Sequence, residues 1–209
     1  MIRNKIARAV AALTLSWALP GHAALTHDAG MVVVSGLADF EGFDGLETTG
    51  PEVVAPGITF TGDTGSMLGA FIAELGENGI WGAGNHFAAT SFVGELRFTF
   101  DVLQSAAGAL VNHFAIPGLP FSIVVSAYGD NNQIIETHTL MVDTAFDSLN
   151  EGLFTGIVRD AADIRSLSFK GNGVVVDDLV IGSPVPEPGT WALMLAGIGM
   201  LGASLRRRA

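Results

Sequence analysis

Three carboxylates, Glu41, Asp177 and Asp178, are the groups in this sequence best suited to ligand chemistry. An acid early in a β-rich body meets an acid of its final strand when the first and last strands are neighbours. Such a meeting offers hard oxygen ligands, with backbone carbonyls, to a structural Ca2+. Strand alternation sends Asp177 and Asp178 to opposite faces, so only one of them serves, and Glu41 with Asp178 is the expected pair. The alternative is that all three are solvated surface acids. Trp81 stands in Ile80-Trp81-Gly82-Ala83-Gly84. Its glycine neighbours leave room for the indole to stack on a sugar ring, or for it to plug the core. His27, His86, His113 and His138 are scattered, without the His-x-x-x-His spacing that zinc uses. No Gly-x-Ser-x-Gly nucleophile elbow is present. Cysteine is absent, which removes disulfides and thiolate metal sites.

Asp63-Thr64-Gly65-Ser66 copies the Asp-Thr-Gly-Ser string of aspartic proteases. That chemistry needs two carboxylates sharing one proton. The nearest second copy, Asp143-Thr144-Ala145, has Ala where the turn needs Gly. A glycine-rich loop is the expected role of Asp63 to Ser66. No catalytic residues are assigned, and the body is expected not to be an enzyme.

The elements that must position these residues follow a period of two. Apolar and polar residues alternate from Glu95 to Val102, as in a half-buried strand. Phe121 to Tyr128 and Ile134 to Val142 read as a hairpin across Gly129-Asp130-Asn131-Asn132-Gln133. Further strands are expected over Met31 to Val34, Ile58 to Thr61, Leu153 to Val158, Ile164 to Phe169 and Val174 to Ile181. About eight short strands in residues 24–183 predict an all-β, antiparallel β-sandwich of jelly-roll type. Asp39-Phe40-Glu41-Gly42-Phe43 and Val175-Val176-Asp177-Asp178-Leu179-Val180 give it a loose resemblance to carbohydrate-binding-module sandwiches.

Charge is distributed unevenly. The chain has 209 residues and a net charge of −11, but between residues 24 and 184 there are 4 basic and 20 acidic residues, hence −16. Such a body repels nucleic acid and suits cations or neutral polymers. The other basic residues cluster at the two ends.

Both ends read as addresses. Arg3, Lys5 and Arg8 precede the apolar run Ala9 to Leu19, and Pro20-Gly21-His22-Ala23 follows. This is the order of a signal peptide over 1–23, passed through the Sec machinery and cut by signal peptidase after Ala23. At the other end, over 184–209, Val185-Pro186-Glu187-Pro188-Gly189 precedes sixteen uncharged residues, 190–205, and then Arg206-Arg207-Arg208. A helix of that length reaches roughly 24 Å, close to a hydrocarbon core of about 30 Å. The arginines are expected to stay cytoplasmic and anchor it.

This tail resembles the PEP-CTERM sorting signal of Gram-negative bacteria, carried here by Pro186, Glu187 and Pro188, the span and the basic cluster. The resemblance implies processing by an exosortase, a membrane-anchored precursor at the inner membrane, and a destination at the cell surface or in the exopolysaccharide matrix of a biofilm. The expected function is therefore a non-catalytic, glycan-associated surface or matrix module. The rival expectation is a secreted hydrolase acting on matrix polysaccharide.

Overall fold

The computed structural model describes residues 23–119, 121–185 and 198. The expected signal segment up to His22 and the expected membrane helix, apart from the single position 198, lie outside the described residues. Among the described residues no helix is long and apolar enough to cross a membrane.

The described chain is antiparallel β-structure in two facing sheets. The larger has eight strands. From one edge it runs β1 (Ala23–Thr26), β14 (Leu153–Arg159), β11 (Ala106–His113) and β16 (Val174–Pro184), hydrogen-bonded in that order. Beyond β16 the sheet continues through β9 (Phe87–Ala89), β6 (Met67–Ala70) and β3 (Leu46–Glu47). The eighth strand, β2 (Val32–Ala38), also pairs with β16. The smaller sheet runs β13 (Ile134–Leu140), β12 (Ile123–Tyr128), β15 (Ile164–Gly171), β10 (Gly94–Gln104), β5 (Ile58–Gly62) and β4 (Glu52–Ala55). A small ribbon joins β7 (Ala73–Glu74) and β8 (Ile80–Trp81).

The core lies between the sheets. Leu96, Phe98 and Phe100 alternate inward from β10, and Phe98 packs against Phe60, Phe40 and Phe169 at ring separations of 5.7, 5.8 and 6.4 Å. The opposing sheet meets these rings with smaller side chains, among them Ala107, Ala109, Val174 and Val176. Large faces small, which lets the layers interdigitate without voids. At one flank the sheets are tied by charge. Arg159 of β14 bonds Glu136 of β13 at 3.1 Å and Asp163 at 2.5 Å, and His138 reaches Glu136 at 2.6 Å.

Central strand β11 is not among the sequence-predicted strands. Ala106-Ala107-Gly108-Ala109-Leu110 is covered on both faces, so it shows no alternation. Gly108 opposes Gly156 on β14, and a Cβ at Gly108 would stand 2.7 Å from the Gly156 Cα and from the Phe154 ring. Only glycine fits that approach.

The two junctions with the expected address segments lie together. Ala24 pairs with Val158, Val158 with Ala106, Ala106 with Gly182, and Gly182 with Val34. The start of β1 and the end of β16 thus share one row of the sheet, three strands or roughly 14 Å apart.

Candidate functional site

The expected carboxylates gather where β16 is interrupted. Asp177 opposes Leu110 and Val180 opposes Gly108, so Asp178 and Leu179 together face the single residue Ala109. That is a β-bulge. Asp178 takes the left-handed conformation with φ +46°, and its N–H is capped by Asp177 Oδ1 at 2.7 Å. On the other edge of β16, β9 pairs as far as Val176 and β2 begins at Leu179. Asp177 and Asp178 fill the gap between these two partners.

Two loops close over this gap. The loop after β2 brings Glu41, and the glycine-rich loop before β9 brings Asn85 and His86. Glu41 Oε1 accepts the His86 backbone N–H at 2.8 Å, and its Oε2 lies 2.7 Å from His86 Nδ1. A carboxylate only accepts, so Nδ1 carries the hydrogen. These bonds hold the Glu41 carboxyl below its usual range. Asn85 Nδ2 donates to Asp177 Oδ2. Burial pushes Asp177 up to about 6, against the ordinary 3.8, with a smaller contribution from Asp178 and Glu41. Desolvation, then the charges of Asp39 and Glu41, also raises Asp178.

The early acid and the final-strand acids therefore meet, but they do not form a calcium cage. Both Glu41 oxygens are spent on His86. Among the described residues no group of three or more His, Asp or Glu could hold a metal ion. Asp177 and Asp178 point opposite ways, as expected, across the bulge. Asp177 is 3% exposed, while Asp178 turns out to solvent. The partner role of His86 has no signal in sequence spacing, since it lies 45 residues from Glu41.

Of the two roles expected for Trp81, the structure shows the core plug and not the sugar platform. Trp81 is 1% exposed, packed edge-on against Phe87 at 6.0 Å, and a Cβ on Gly152 would stand 2.6 Å from its ring. No face is left for a sugar. The glycines around it serve the backbone: Gly82 has φ +133° and lies against Ile72. Asp63 is likewise structural, accepting the Glu95 N–H at 2.8 Å in the turn after β5. His113 is held between the carbonyls of Phe114 and Val142, at 2.9 and 2.8 Å. His27 bonds the Phe154 carbonyl at 2.9 Å.

The expected sorting segments adjoin the two described ends of this body. Ala23 opens β1, and Pro184 ends β16. Pro186, Glu187, Pro188 and Arg206 to Arg208 fall outside the described residues. No curated protein and no solved structure matches the chain. Residues 184–208 match the family model of the PEP-CTERM protein-sorting motif. That motif marks an exported, membrane-anchored precursor of Gram-negative bacteria, with an exosortase as its processing partner. The chain thus carries, from the last residue of its last strand, the sorting motif of exosortase substrates.

Proposed function

We propose that this protein is a cell-surface or extracellular-matrix module. Its β-sandwich is non-catalytic, is processed by exosortase at Pro186-Glu187-Pro188, and associates with exopolysaccharide. The observation that carries the reading is where the sorting motif begins. It starts at Pro184, where β16 ends, and the Val185 N–H closes the body by bonding the Met31 carbonyl at 2.9 Å. A cut beyond Val185 removes no strand of the described residues. A signal-peptidase cut after Ala23 likewise leaves Ala24 to Thr26 paired with β14. Both cuts fall at one end of the sandwich, so a single membrane-facing end suffices for both.

The hydrolase reading draws on Asp177, because a carboxyl raised to about 6 suits a general acid. Its burial and the two bonds its oxygens already accept favour a structural role instead. Mass spectrometry of the protein from the producing cells tests the reading. An N-terminus at Ala24 and a C-terminus near Pro186 to Pro188 are expected, with tail processing lost on replacing Pro186 and Glu187 by Ala. Recovery of a chain with Met1 and Ala209 both intact would overturn it.

A further inference from the structure

Three of the four basic residues of the body, Arg97, Arg165 and Lys170, lie on β10 and β15, the central strands of the smaller sheet. Leu96, Phe98 and Phe100 point into the core, so Arg97 and Thr99 point outward. Register gathers hydroxyl residues along this face, with Ser126, Ser166 and Ser168 buried and the threonines and Tyr128 at least partly exposed. Thr61, Arg97, Ser168, Ser126 and Thr137 form one row across five strands. Thr99, Ser166 and Tyr128 continue the next row.

Arg97 lies at the centre of this face and is held in place. Its guanidinium carbon sits 3.8 Å from the centroid of the Tyr128 ring. Nε and Nη2 donate to Ser166 Oγ at 2.9 and 2.8 Å, and Nη2 also reaches Asn132 Oδ1. Nη1 has no partner among the described residues. No carboxylate stands within ion-pairing distance of Arg97 among them either. Arg165 differs, because it is neutralised by Asp130 at 2.6 Å and bonded to the carbonyls of Phe100 and Asp101. Two shallow clefts, of about 260 and 160 Å³, share Thr61 and Arg97 and so form one trough with the guanidinium at its middle.

We propose that this trough binds an acidic polysaccharide, with a uronate carboxylate on Arg97 Nη1 and ring hydroxyls on the neighbouring threonines and Asn132. A fixed guanidinium with free donors, in a body of charge −16, is a site for an anion. Asp63 and Glu95 line one end of the trough and Asp130 the other. They accept hydrogen bonds from sugar hydroxyls and repel any further anion, whether phosphate or a run of adjacent uronates. A polysaccharide with isolated uronates among neutral sugars offers single carboxylates among many hydroxyls, which matches one unpaired cation flanked by acceptors. This inference rests on the matrix-associated reading and gives it a ligand class.

The test is calorimetric titration of the full chain in detergent micelles with an oligosaccharide carrying one glucuronate among neutral sugars, neutral dextran oligomers and inorganic phosphate. The glucuronate oligosaccharide is expected to bind, and dextran and phosphate to bind at least about tenfold more weakly. Arg97→Gln is expected to lower uronate affinity by about tenfold or more, and Lys170→Gln to change it less than twofold. Thr61→Val provides a second variant, expected to weaken binding without touching the charge. Far-ultraviolet circular dichroism and Tm of each variant confirm that the sandwich is folded. Equal affinity of wild type and Arg97→Gln, stronger phosphate than uronate binding, or no uronate binding would overturn the proposal. Normal tail processing in cells, measured beside a failed titration, would remove this site and leave the exported, processed protein standing.

Discussion

Asn85 Nδ2 lies 2.5 Å from Asp177 Oδ2, a bond between a loop before β9 and the bulged strand β16, 92 residues apart in sequence. It satisfies a carboxyl that the fold has buried without a cation. The cost shows in protonation, because Asp177 is pushed up to about 6 by desolvation.

Stability is therefore expected to fall as pH rises from about 4 to about 6. Below 3.8 both folded and unfolded chains hold the proton, and Asp177 is neutral at no penalty. Between 3.8 and about 6 the unfolded chain ionises while the folded chain keeps its proton, so folding loses ground. Above 6 the full penalty of roughly 2 to 3 kcal/mol applies. Asp177→Asn removes the charge, and the Asn85 amide can turn over to keep the contact. Calorimetric melts should show this variant with the higher Tm at pH 8 and little difference at pH 4. A lower Tm for the variant at pH 8 would contradict the account.

Trp81 packs as the largest side chain of the cluster beneath the β7–β8 ribbon, with Leu75, Phe87 and Val175. Trp81→Ala should cost about 3 to 5 kcal/mol in urea unfolding, the range for deleting a buried aromatic. Trp81→Phe should cost clearly less. An alanine variant as stable as wild type would mean that the indole is not core.

Arg159 is the charge link between the two sheets, and its partners Asp163 and Glu136 hold the guanidinium above its usual range. Arg159→Ala leaves Glu136 almost wholly enclosed, with only His138 beside it. A loss of about 2 to 4 kcal/mol in chemical denaturation is expected, because a buried carboxylate is stranded. The double variant Arg159→Ala with Glu136→Ala should recover part of that loss. If the double change is as costly as the sum of the singles, the pair is not coupled.

Calcium and EDTA are expected to leave Tm unchanged, since His86 occupies both oxygens of Glu41. A melt with millimolar Ca2+ against chelator reads this directly. A rise of several degrees would show that the cation displaces His86.

The sequence made the alternating strands plain and hid the places where alternation stops. Glu95 to Val102 reads as a strand because one face is core and the other polar. Ala106 to His113 is just as regular in space, yet small residues buried on both faces erase the pattern. The meeting of Glu41 with the final strand followed from the expected adjacency of early and late strands, and β2 does pair with β16. Its chemistry did not follow. Asp178 turns out at a one-residue bulge, and both Glu41 oxygens bond a histidine from a distant loop. The role of Trp81 stayed open in the sequence because glycines that permit tight backbone packing look like glycines that open a platform. Arg97 drew no notice among its neighbours, since its value lies in cross-strand partners that register alone supplies.

The strand that ends in the sorting motif has bonded neighbours on both sides: β11 on one edge, and β9 then β2 on the other. Tension entering at Val185 runs along the axis of β16. The ladder bonds on both edges then resist together in shear, rather than parting one by one as in an unzipping hairpin. A pull applied at Val185 is therefore carried by β11 and β2 at once.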